Sequence, residues 1–195
     1  MNDQSGRASG PQATPGSGPG TAGSGPMTAW DAIRSRRNVR QYASRSISDQ
    51  DLDQILEAGR RSPSSRNTQP WDFISVTAPD QLQQLATVWV GAGHVAHCAA
   101  AIALITAADD DAQRRAQFDL GQAAMSMLLA AAALGIGSCH SGIGDQDTAR
   151  RMLGLPQDKF CHFLISLGYP AGRPLAPISA PDRRPFEEVV HREHW

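Results

Sequence analysis

Across 195 residues the chain is short of several things, and each shortage removes a class of function. Its three cysteines, Cys98, Cys139 and Cys161, are an odd number with no C-x-x-C pair, which excludes a disulfide framework and a thiol redox couple and suits a reduced cytosol. The net charge is only −1, so the basic excess that a general nucleic-acid surface relies on is missing. No Rossmann fingerprint is present, because His140 stands where the third glycine after Gly135 and Gly137 would be, and there is no G-K-[ST] phosphate loop. His94, His97 and Cys98 lack the second pair that completes a tetrahedral zinc site. Cys139 and His140 are neighbours that a strand turns to opposite faces, which argues against a nucleophile and its base. Residues 1–26 contain no Leu, Ile, Val, Phe, Tyr or Trp, so burial cannot offset their ordering entropy. They are expected to form a disordered Gly/Pro/Ser-rich tail without the apolar core of a secretory signal, ahead of one domain spanning 27–195.

What remains alternates helices with short strands, and at 41% hydrophobic residues it can bury one sizeable core. Thr28 caps a short helix through Ile33 and Arg36, and Ser48 with Asp51 opens another whose Leu52, Ile55, Leu56 and Gly59 share a face. A helix over Pro79 to Val90 follows a first strand at Phe73 to Val76. Further strands are expected at Ala101 to Ile105, Ile136 to Cys139 and Cys161 to Leu167. Phe118 to Leu134 is almost continuously apolar and Ala-rich, which reads as a helix buried on nearly all sides. Asp119, Gln122 and Ser126 interrupt it, and with a mean hydropathy of −0.35 a membrane span is not expected.

Two polar stretches carry the chemistry. Ser35-Arg36-Arg37-Asn38-Val39-Arg40, with Arg183 and Arg184 far downstream, offers planar guanidinium forks that fit phosphate oxygens two at a time. Pro63-Ser64-Ser65-Arg66-Asn67-Thr68-Gln69-Pro70-Trp71 packs short donors and acceptors that do not titrate near neutrality between fixed-φ prolines, a composition suited to the edge of a planar heteroaromatic ligand.

Together with Leu134-Gly135-Ile136-Gly137-Ser138-Cys139-His140-Ser141-Gly142, these stretches resemble, in the same order, the three signatures of the FMN-dependent nitroreductase family over roughly residues 28–192. The resemblance implies an α+β fold with a central mixed sheet of four to five strands, surrounded by helices, and a long buried helix at a homodimer interface. It assigns the FMN phosphate and ribityl chain to Arg36, Arg37, Asn38, Arg40 and the late Arg183 and Arg184. It brings Pro63, Ser64, Ser65, Asn67 and Gln69 to the isoalloxazine, and lays His140, Ser141 and Gly142 over the ring as a loop. The chain departs from the family pattern at Asn38, where Ser is usual, and at His140 to Gly142, where many relatives have Trp-Ile or Pro-Ile, some followed by Glu. The implied activity is a cytoplasmic oxidoreductase in which NADH or NADPH gives up its hydride and leaves before a small electron acceptor, such as a nitroaromatic or quinone, enters in a ping-pong cycle. With FMN carrying the electrons, no protein catalytic residue is required. A flavin-sequestering protein of the same fold, with little nicotinamide turnover, is the alternative.

Overall fold

The computed structural model describes residues 27–195; the expected tail, residues 1–26, lies outside the described residues. Four strands, β1 (Asp72–Val76), β2 (Ala100–Ala107), β3 (Gly137–Gly142) and β4 (Lys159–Gly168), form one sheet in the order β1-β2-β4-β3. All three ladders are antiparallel. The mixed character expected of the sheet reduces to one isolated parallel bridge, Asn38 to Ser138, and the segment making it is the closest approach to a fifth strand.

β2 and β4 are central, and Ala100–Ile105 of β2 is wholly apolar and Phe163–Leu167 of β4 apolar but for Ser166, because both faces of the sheet are covered. Ile102 and Leu104 point into a core with Leu52, Ile55, Leu120, Met127 and Leu128, supplied by α2 (Asp49–Arg60) and α4 (Asp110–Ala133). Ala101, Ala103 and Ile105 point the other way, onto Leu82, Leu85 and Val88 and onto Ala149 of α5 (Gln146–Leu153). A bulge between Leu104 and Ile105 shifts the register there.

The helix starts follow their caps. The Thr28 hydroxyl accepts from the Asp31 amide at 3.1 Å at the head of α1 (Ala29–Ser35), and Ser48 does the same for Asp51 at 3.1 Å ahead of α2. Two expectations on helix length are corrected. α3 is Pro79–Leu85 and stops well short of Val90, since the β-branched Thr87, Val88 and Val90 and then Gly91 favour helix weakly. The Val88 carbonyl is taken instead by the amides of Gly144 and Asp145, each at 2.9 Å. α4 begins at Asp110 rather than Phe118, because Asp109 caps the Ala112 amide at 2.8 Å and carries a polar first turn.

α4 is also not buried all round within one chain. Ala116, Leu120, Ala123, Met127, Leu128 and Ala131 face the core, whereas Phe118 (76% exposed) and Met125 (45%) face outward. α1, which packs on α4, also exposes Trp30 and Ile33. After Tyr169 an arm runs past Arg34 to Gln41, with Ala171 N donating to Gln41 O and Ile178 N to Arg34 O. It then carries a last single-turn helix, α6 (Phe186–Val189), whose residues are all exposed. No helix among the described residues is long and apolar enough to cross a membrane.

Candidate functional site

The arginine segment is seated on a pair of glycines. Gly137 and Gly168 are register partners where β3 begins and β4 ends. A Cβ on Gly137 would lie 2.7 Å from Val39, and one on Gly168 would lie 2.7 Å from Tyr42, so only hydrogen lets both side chains press onto the sheet. Val39 N then donates to Ser138 O at 2.9 Å, and the Tyr42 hydroxyl donates to Val39 O at 2.6 Å. That hydroxyl lies 2.7 Å from Ser166 Oγ, which is 2.8 Å from His94 Nδ1 and donates to Cys139 O at 3.0 Å. Burial, and next the nearby positive Arg40 and the ring of His140, push the His94 pKa below the usual imidazole value, and burial raises the Tyr42 phenol.

Above this pinned backbone the guanidinium groups have different fates. Arg36 Nη2 reaches Asn38 Oδ1 at 3.2 Å, while its Nε and the neighbouring Ser35 Oγ are buried without a partner among the described residues. Arg37 donates to the carbonyl of Arg173 at 2.6 Å, so the arm claims it. Arg37, Asn38 and Arg40 border a cleft of about 300 Å³ closed by Pro170 and Gly172. The charges of Arg40 and Arg36 oppose the upward push that burial gives the Cys139 thiol, which puts both beside β3. Arg183 and Arg184 do not join them: Arg183 donates to the carbonyl of Asp182, and Arg184 turns back to Glu188, donating to its carbonyl at 3.0 Å.

The second stretch, Pro63 to Gln69, is a taut loop. Arg66, Asn67 and Gln69 have φ of 53°, 56° and 47°, a left-handed backbone that costs an L side chain about 1–2 kcal/mol each. Three such residues in four positions persist only where the surroundings over-determine them, and they cluster at ligand sites. Here Ser64 Oγ accepts from Gln69 N at 2.9 Å, Ser62 Oγ donates to Ser126 Oγ at 2.8 Å, and the buried Asp119 carboxylate accepts from Ser65 N at 3.0 Å. Asn67 and Gln69 are left exposed.

The third stretch is a strand rather than a loop. His140, Ser141 and Gly142 end β3, at the edge of the sheet, with His140 exposed and Ser141 buried. β4 fixes them through register pairs to Ile165, Leu164 and Phe163. Cys98, Cys139 and Cys161 are all free and buried. Among the described residues no three His, Cys, Asp or Glu side chains gather as a metal site.

One chain does not bring the arginine segment and the taut loop together. The loop is tied to Asp119, whereas the arginines sit at the start of β3, just beyond the end of α4 at Ala133; Asp119 and Ala133 are about 21 Å apart along the helix. Asp119, Tyr42 and Ser166, which hold the two stretches in place, lie outside all three sequence motifs. Asp119 and Ser166 each carry a signal: Asp119 is the one charged residue of the Phe118 to Leu134 run, and Ser166 is the one polar residue of Phe163 to Leu167.

The nitroreductase family's sequence model matches residues 33–169. A protein of Archaeoglobus fulgidus that carries the provisional name NADH dehydrogenase/NAD(P)H nitroreductase is 32% identical over 172 residues, covering 84% of this chain and 96% of its own. The NADPH-flavin oxidoreductase of Vibrio harveyi is 26% identical and is covered over 73% of its length by 85% of this chain. Among solved structures, an FMN-dependent nitroreductase from Clostridium difficile superposes with a TM-score of 0.75 at 26% identity, over 84% of this chain and 98% of that one.

Proposed function

The chain belongs to the nitroreductase family, and on that premise we propose that it is an FMN-dependent oxidoreductase that takes electrons from NADH or NADPH and hands them to nitroaromatic, quinone or similar small acceptors by a ping-pong mechanism. The residues present fit the cofactor. A terminal phosphate needs several converging donors, and Arg36 offers a buried Nε with no partner beside Asn38 and Arg40. A flavin ring needs fixed neutral hydrogen-bonding groups, and the taut loop presents Ser64, Ser65, Asn67 and Gln69 in a conformation set by Asp119 and Ser64 itself. When bound, FMN supplies the hydride and electron transfer. The protein's part is to grip the phosphate, hold the ring edge and keep the face of the ring open to one small molecule at a time.

The observation that carries this reading furthest is the anchoring of the two clusters at points of α4, Asp119 and the helix end at Ala133, about 21 Å apart along its axis, combined with the outward apolar stripe of Phe118 and Met125 on that same helix. A homodimer built on that stripe would set the loop of one protomer beside the arginines of its partner. It would also give the exposed end of the arm, residues 179–195 with Arg183 and Arg184, a surface to lie on. Three free, buried thiols suit a reducing compartment such as the cytoplasm.

The test is the absorbance spectrum of the purified protein, followed by anaerobic mixing with NADH or NADPH. Flavin bands that bleach and return on adding a quinone are expected. Protein that takes up no FMN would overturn the proposal, and bands that persist with either nucleotide would favour a flavin-holding role, for which the departures at His140 to Gly142 are the motivating feature.

A further inference from the structure

Beside the taut loop, a cleft of about 500 Å³ runs along the first half of α4, its walls carrying Ser65, Arg66, Thr68, Arg115 and Asp119. The volume lies within the range of small-molecule sites. Its charge is unusual for this surface. The neighbouring arginines are neutralised by carboxylates: Arg114 by Asp111, and Arg60 and Arg61 by Glu57. Among the described residues, Arg66 and Arg115 have no such partner. The one carboxylate in the cleft, Asp119, is buried, and its oxygens are turned to Ser65 N at 3.0 Å and Gln122 Nε2 at 3.4 Å. The left-handed turn at Arg66 places that residue on the same wall as Ser65.

We infer that this cleft is a subsite for the anionic group of the electron acceptor: Arg66 and Arg115 take a carboxylate or sulfonate while the acceptor's ring lies toward Ser65. The inference rests on the proposed function, since it is Ser65 that would border the flavin. Two planar forks converging on one anion give geometric selectivity that a single surface charge does not. Arg115 lies on the helix face that three residues later carries Phe118, so the mouth of the cleft sits at the end of the apolar stripe. The selectivity is for charge on the ligand and leaves the electron transfer itself unchanged.

The experiment compares para-nitrobenzoate with its neutral methyl ester on the FMN-loaded full chain, with NADH and in parallel NADPH as reductant, in the parent, Arg115→Gln, Arg115→Lys and Arg66→Gln. Hydrogen bonds to charged groups are worth about 1.5–3 kcal/mol, or roughly 10- to 100-fold. Arg115→Gln should lower kcat/KM for the acid by about that factor, mainly through KM, and leave the ester within about twofold. Arg115→Lys should recover part of the loss, and about 0.5 M salt should erode the acid's advantage in the parent and in Arg115→Lys. Calorimetric titration of the oxidised protein with para-nitrobenzoate reads the same subsite without turnover. Binding that depends on Arg115, with no turnover of either compound, would keep the subsite and remove the proposed function. Turnover of the ester with no preference for the acid, or a parallel fall of both in Arg115→Gln, would overturn the subsite. A loss confined to NADPH relative to NADH would assign the arginines to the reductant's phosphate and overturn the acceptor assignment.

Discussion

Replacing Met125 with Asp separates a free surface from an interface, because the two cases differ by orders of magnitude. Met125 is 45% exposed in one chain and projects from the middle of α4, away from both cores. If the protein were a monomer, an Asp there would be a solvated surface change worth within about 0.5 kcal/mol. If α4 packs against its two-fold mate, each protomer would bury an unpaired carboxylate, at a cost of several kcal/mol per ion. A loss of about 4 kcal/mol already weakens the dimer by roughly 10³-fold. Leu128, one turn on, is the control: it is 3% exposed within the chain and packs in the α2/α4 core, so Leu128→Asp should unfold the protein whatever its oligomeric state. Light scattering and flavin absorbance on the same samples provide the assay. The parent is expected to be a dimer with one FMN per chain, and Met125→Asp a folded monomer, by circular dichroism, that has lost its flavin. A parent that is monomeric at micromolar concentration with full FMN would refute the shared site, as would Met125→Asp protein that remains a flavin-loaded dimer.

Arg36→Ala removes the guanidinium whose buried Nε is unpartnered and should weaken FMN by about 10- to 100-fold while leaving riboflavin unchanged; equal affinity of the parent for FMN and riboflavin in fluorescence titration would refute the phosphate assignment. Asp119→Leu leaves the Ser65 amide without its acceptor, which should cost about 1–3 kcal/mol in urea unfolding and weaken flavin binding, an outcome excluded if binding is unchanged in protein that is measurably less stable. His94 and His162 are both held below the usual imidazole pKa by burial, so the unfolded chain takes up protons first as the pH falls. Stability should therefore be level above the ordinary imidazole value and decline below it, and denaturation midpoints that do not fall between pH 7 and pH 5 would contradict this, those values bracketing the ordinary imidazole pKa of about 6.5.

The sheet was legible because β2 and β4 are apolar runs with both faces covered, and such runs stand out against turn residues. Helix ends were less so. The Pro79 start of α3 is written in its proline, but its end depends on Gly144 and Asp145, about sixty residues away, capturing the Val88 carbonyl. The Phe118 to Leu134 run reads as almost continuously apolar, and composition cannot say that Phe118 and Met125 turn away from the core of their own chain. The site residues are local in sequence and so were found as motifs. What holds them is not local: Tyr42 needs Ser166, Ser65 needs Asp119, and Arg37 is taken by the Arg173 carbonyl. None of those pairings leaves a spacing to read. His140 to Gly142 pair with β4 rather than form a loop, because Phe163 to Ile165 supply an apolar partner strand that the motif itself does not contain.

The glycine pair under the arginine segment sets an order of assembly. Tyr42 reaches Ser166 across 124 residues of chain, and it can do so only once β3 has paired with β4 and brought Gly137 opposite Gly168. Contacts that close so long a loop form late in folding. The capping box of α1 is complete within four residues and needs no distant partner, whereas Arg36 at its end has nowhere to dock until the last strand is in place. On the proposed assignment of Arg36 to the flavin phosphate, flavin capture on this side waits for β4 to be in place. The same few contacts make the Arg36 to Tyr42 strip the natural place for the native protein to open locally, giving cofactor exchange a route that leaves the cores on both faces of the sheet closed.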